Sequence, residues 1–98
     1  MPAYVVAEVN VSDAEAYKVY QGLAEQAVAE AGARFLVRGG APEILEGDWD
    51  PPRVVVLEFA DAATARDWYD SATYRAAREA RQGAATLNMV LVEGYAPH

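Results

Sequence analysis

The chain has no cysteine and a single histidine, the terminal His98. Without thiols there are no disulfides, thiolate metal sites or cysteine nucleophiles. With one imidazole at the chain's end there are no His-based triads or His-rich zinc sites, and few ways of holding a haem. A function without metal or cofactor is therefore expected, and His98 reads as a disordered end. Positive charge is also sparse: eight Lys and Arg stand against fifteen Asp and Glu, for a net charge of −7. Such a surface repels phosphate backbones and anionic headgroups, so neither nucleic acid nor a membrane is expected as a partner. The longest apolar runs, Val54 to Leu57 and Met89 to Val92, are far too short to cross a bilayer. No basic region precedes the apolar stretch that begins at Ala3, so no signal peptide is expected and the cytoplasm is the expected compartment.

What is present suffices for one domain, residues 1–98. Surface scaling leaves about 5,500 Å² exposed of the roughly 15,400 Å² of an unfolded chain this size, enough for one modest core. A hydrophobic fraction of 53 % with 23 % charged residues excludes an ordinary disordered chain. Residues 3–11 alternate, with Ala3, Val5, Ala7, Val9 and Val11 on one side, which predicts a strand with an apolar face. Ser12-Asp13-Ala14-Glu15 reads as a capping box opening a helix to about Ala31, with Gly32 as its left-handed stop. Tyr17, Tyr20, Ala24, Ala27 and Val28 recur at helical spacing as its inward stripe. Arg34 to Arg38 and Arg53 to Phe59 read as strands joined by a long acidic loop. Asp61 caps a helix bearing Trp68 and Tyr69, Ser71 caps a further short helix through about Gln82, and a last strand runs from about Thr86 to Glu93. The order is β-α-β-β-α-β, an α+β ferredoxin-like fold with a four-stranded antiparallel sheet.

Strand alternation sends Tyr4, Val6, Glu8, Asn10, Leu36, Arg38, Val54, Val56 and Glu58 to the face opposite the helices, and Phe35 and Val37 towards them. That open face is too apolar to meet water and too charged for a plain core. Two such sheets closing face to face in a homodimer would satisfy both conditions, leaving a lumen for a small organic ligand. With the third strand between the first and second, Glu58 falls between Glu8 and Arg38, and an Arg38–Glu58 pair is expected. Two readings of the pair stay open. It is a salt bridge that holds the register, or Arg38 orients a ligand while Glu58 or Glu8, its pKa raised by the second carboxylate, moves a proton.

Glu58 and Arg38 are thus the candidate catalytic residues, with Glu8 and Asn10 as candidate ligand contacts. Tyr17, Tyr20, Trp68, Tyr69 and Tyr74 read as core aromatics or as ligand contacts; Trp68 and Tyr69 lie beside the helix break at Ser71, where a cleft could open. Arg75, Arg78 and Arg81 form a basic series on the last helix, and Arg78 is a candidate contact for an anionic ligand or a partner's acidic loop. The carboxylates at 46, 48 and 50 lack calcium-loop spacing, and Gly39-Gly40 has no following helix to cradle phosphate.

Taken in order, several pieces resemble the DUF1330 family of domains of unknown function. They are Asp13-x3-Tyr17-x2-Tyr20, Gly32 to Gly40, Leu45-Glu46-Gly47, Arg53 to Phe59, Ala65-x2-Trp68-Tyr69-x-Ser71-x2-Tyr74 and Val92-Glu93-Gly94. The chain departs from the pattern at Ala33, where a second glycine is common. The resemblance implies a place in the dimeric α/β-barrel superfamily, with its cofactor-free monooxygenases, muconolactone-type isomerases, haem-dependent peroxidases and stress-response proteins. It implies the homodimeric barrel but no activity, since a shared fold does not carry a shared reaction. Two functions stay open: a ligand-binding enzyme of the cofactor-free isomerase or oxygenase kind, and a non-catalytic dimeric binding or stress-related interaction protein.

Overall fold

The computed structural model describes residues 1–95, in seven elements: β1 (Ala3–Val11), α1 (Ala14–Glu30), β2 (Arg34–Gly40), β3 (Arg53–Phe59), α2 (Ala62–Tyr69), α3 (Ala72–Ala80) and β4 (Ala85–Glu93). His98 lies outside the described residues. The ferredoxin-like order is the one expected from the sequence, with the second helical unit divided at Ser71. There the Ser71 hydroxyl donates to the Trp68 carbonyl at 2.7 Å and accepts from the Tyr74 amide at 3.1 Å. One side chain thus adds a second donor to the Trp68 carbonyl, which also accepts from the Ser71 amide at 3.1 Å, and satisfies an orphan amide of α3.

The cap of α1 differs from the expected one. Asp13, not Ser12, accepts from the Ala16 amide, at 3.1 Å, and Glu15 pairs with Lys18 at 3.2 Å instead of closing a capping box. Asp caps as well as Ser does, and its charge also suits the helix N-terminus. Ser12 is left to donate to the Gly83 carbonyl at 3.3 Å, tying the end of β1 to the turn before β4. Gly32 stops the helix at φ +68, as its position predicts.

The four strands are all antiparallel, in the order β2-β3-β1-β4. The helices cover one face, and the core lies beneath them, where Val5, Val9, Leu57 and Phe59 meet Tyr17, Tyr20, Trp68 and Tyr74. Among the described residues no helix covers the other face, on which Val90 and Val92 are 59 % and 48 % exposed. The molecule exposes 6270 Å², against the roughly 5,500 Å² that scaling gives for its mass. Among the described residues no helix is long and apolar enough to cross a membrane.

Strand β2 corrects the expected placement of its side chains. Its register against β3 runs Arg34–Glu58, Phe35–Leu57, Val37–Val56, Arg38–Val55 and Gly40–Val54, with shifts after Phe35 and after Arg38. Leu36 and Gly39 are the extra residues of two bulges, and each inserted residue turns the rest of the strand over. Val37 therefore lies on the open face with Val56, and Arg38 on the helix face with Val55. Gly39 takes φ +71, a left-handed conformation that disfavours a side chain.

Candidate ligand cavity on the helix face

Small residues face one another across the layer between sheet and helices, and the space they leave is not filled. Ala7 on β1 and Ala24 on α1 both line a cavity of about 80 Å³. Val5, Val9, Val55, Leu57 and Leu87 form its floor on the sheet. The roof and far wall are aromatic, with Tyr17 and Tyr20 from α1, Trp68 from α2 and Tyr74 from α3. At its mouth stand Gln21, Arg38, Gly39 and Arg53. No carboxylate is among the lining residues.

The aromatic wall is stacked and hydrogen-bonded. Tyr17 and Tyr20 stack with ring centres 5.1 Å apart, and Trp68 and Tyr74 lie 4.2 Å apart. The Tyr20 and Tyr74 hydroxyls share a hydrogen bond of 2.7 Å, and an Nη of Arg81 donates to the Tyr74 hydroxyl at 3.1 Å. Burial, then the neighbouring Tyr74 phenol, pushes the Tyr20 hydroxyl far above the ordinary tyrosine value. Burial also raises Tyr17, against the opposing pull of Arg53, Arg81 and Arg38. Both phenols are therefore neutral at physiological pH. The indole N–H of Trp68, a residue 3 % exposed, has no hydrogen-bond partner.

The expected Arg38–Glu58 pair is not formed: the register sets Glu58 opposite Arg34, four residues along β2 from Arg38, and the bulge at Leu36 places Arg38 on the other face of the sheet. Arg38 donates instead to Glu25 on α1 at 3.3 Å and covers the Phe35 ring at 4.4 Å. Glu58, on the open face, accepts from Arg34 at 2.7 Å and from the Tyr4 hydroxyl at 3.2 Å. Glu8 shares no guanidinium with it either. Its carboxylate accepts from Asn88 at 2.8 Å and from the Trp49 indole at 3.0 Å, which brings the acidic loop back over the open face. Asn10 is exposed at the far end of β1, opposite Thr86. Glu8, Asn10 and Glu58 therefore stand on the uncovered face, whereas Tyr17, Tyr20, Trp68, Tyr74 and Arg38 come together round the cavity.

Arg78 belongs to neither group, whereas Tyr69 lines an open cleft of about 550 Å³ beside β4 together with Glu8, Trp49 and Arg81. The Arg78 guanidinium stacks over the Tyr69 ring at 4.1 Å. Beside the Ser71 break a second cleft does open, about 290 Å³ between α2 and β4, lined by Trp68 and Tyr69 among others. Arg53 and Gln21 were not among the candidates. The signal for Arg53 was available, because alternation through Val55, Leu57 and Phe59 puts it on the helix face.

No curated protein matches the chain in sequence. Its fold matches that of a protein of unknown function from Rhodopseudomonas palustris, with a TM-score of 0.77 and 21 % identity over 98 % of this chain and 84 % of that one. A dimeric ferredoxin-like protein of unknown function from Jannaschia sp. CCS1 is 14 % identical over 96 % and 100 % of the two chains, with a TM-score of 0.73. SnoaB, a cofactor-independent oxygenase from Streptomyces nogalater, is 12 % identical over 98 % and 95 %, with a TM-score of 0.62. These likenesses confirm the ferredoxin-like fold. The matched family model, Domain of unknown function (DUF1330), spans residues 2–95, and the chain belongs to that family.

Proposed function

We propose that this protein is a cytoplasmic homodimer that binds a small organic molecule, and that the ligand sits beneath the helices of each subunit. The observation that carries this reading is the cavity of about 80 Å³ with its aromatic wall. Left empty, such a void costs about 2 kcal/mol at ~24 cal/mol per Å³, and a ligand that fills it offsets that cost. The open sheet face, with Val6, Val54, Val56, Val90 and Val92, is then the pairing surface, and the Jannaschia protein of similar fold is described as dimeric. On this reading Glu8, Asn10 and Glu58 serve pairing and register, and Tyr17, Tyr20, Trp68 and Tyr74 serve the ligand.

A second reading, catalysis of the cofactor-free isomerase or oxygenase kind, is favoured by the guanidinium groups at the mouth. Arg38 and Arg53 suit a substrate that carries carbanion or enolate charge, and SnoaB offers a precedent on this fold. Native mass spectrometry of the purified protein tests the binding reading, with Ala24→Leu as the filled-cavity control. A dimer carrying extra mass that Ala24→Leu loses supports it. A monomer, or a variant that keeps the same extra mass, contradicts it.

A further inference from the structure

The polar groups of the cavity are unbalanced. Its polar lining is phenol and guanidinium, and among its lining residues the only side-chain oxygen acceptor besides the phenols belongs to Gln21. At the mouth the charge is positive, although the chain as a whole carries −7. Arg38 is partly matched by Glu25, an exposed pair at 3.3 Å of the kind that contributes little. Arg53 has no carboxylate within salt-bridge distance among the described residues. Its guanidinium lies against Gly39, where an added Cβ would stand 3.6 Å from Nε and 3.7 Å from Cζ. Strand β2 thus presents a side-chain-free backbone to Arg53 and, one residue earlier, its own arginine to the same opening.

Size sets a bound: at about 80 Å³ the space is smaller than the roughly 150 Å³ that holds a benzene ring. A ring can enter only with part of the molecule at the mouth, between the two arginines.

We infer that the ligand is a small organic acid whose carboxylate is held by Arg53, with Arg38 beside it, and whose apolar body, no larger than one ring, lies against Trp68 and Tyr20. This rests on the cavity being the binding site. The acid's charge is then met by the otherwise unmatched guanidinium, where charge-assisted hydrogen bonds are strongest.

The test is calorimetric titration with benzoate and with benzamide, which share a ring and differ in charge, at low salt. Wild type is compared with Arg53→Gln and Ala24→Leu, each checked for native circular dichroism. Benzoate is expected to bind wild type at least about tenfold more tightly than benzamide does. Arg53→Gln should remove about tenfold or more of the benzoate affinity and leave benzamide unchanged. Ala24→Leu should weaken both. Equal affinities for the two probes, an Arg53→Gln variant that binds benzoate like wild type, or no benzoate binding at about 10 mM overturns the inference. If Ala24→Leu weakens both probes and benzamide still equals benzoate, the cavity stands as the site and only the acid is wrong. If Ala24→Leu binds benzoate like wild type, the cavity reading falls too.

Discussion

Replacing Tyr74 by Phe removes one oxygen from the most buried point of the aromatic wall. Tyr74 is 0 % exposed and Tyr20 7 %. The change breaks the 2.7 Å bond to Tyr20 and the 3.1 Å bond from Arg81. Arg81 is only partly buried and recovers water, whereas the Tyr20 hydroxyl is left in the cavity wall without its partner. Leaving a buried group unpaired costs about 1–3 kcal/mol, and in a domain this size each kcal/mol lowers the melting temperature by about 4–8 °C. Tyr20→Phe should cost less, because Tyr74 keeps its bond from Arg81. In the double variant neither hydroxyl is orphaned, so its loss should fall short of the sum of the single losses by about 0.5 kcal/mol or more. Urea unfolding of the four proteins gives the cycle. Additive single losses, or a Tyr74→Phe loss below about 0.5 kcal/mol, would refute a buried hydroxyl pair.

Alkaline titration of stability reads the same wall. Tyr17 and Tyr20 are both raised from 10.0, chiefly by burial, so the unfolded chain ionises first. Their contribution is complete below that pH and is lost as pH rises above it, by up to about 1.4 kcal/mol per pH unit for each phenol. Urea midpoints should be flat to about pH 9 and fall beyond it, less steeply in Tyr20→Phe; an unchanged slope in that variant would contradict the assignment. Glu58→Gln should cost under about 1 kcal/mol, since its Arg34 partner is largely exposed, and should leave benzoate affinity untouched. A loss of benzoate binding there would return Glu58 to the site. Ala24→Leu should stabilise the unliganded protein by up to about 2 kcal/mol as it fills the void. A fall in melting temperature would mean that the cavity is already closed in solution.

The elements were legible because their signals are local. Alternation marks β1 and β3, Asp61 and Ser71 are caps, and Gly32 is a stop with positive φ. Even the strand order follows from the pattern of elements. The candidate site was less legible because its key step is not local. Arg34-Phe35-Leu36-Val37-Arg38 reads as a regular strand, and only its pairing with β3 exposes Leu36 as an extra residue. That one residue moves Arg38 to the helix face, and the register before it already sets Glu58 opposite Arg34, which together undo the expected pair. The cavity was equally hidden, since it depends on Ala7 and Ala24, 17 positions apart in the chain, lining the same space. The aromatic residues round it were visible as helical stripes, and Arg53 could have been found from the alternation that places Val55.

The two tryptophans of the chain report on the two faces of the sheet. Trp68 walls the cavity, and Trp49 is bonded to Glu8 on the open side. Their indole N–H resonances, followed in a nitrogen-15 labelled sample during titration with benzoate, test directly where the ligand goes. The account expects the Trp68 resonance to move with saturation while the Trp49 resonance stays in place. Movement of Trp49 with Trp68 unmoved would place the ligand on the open face and contradict the account.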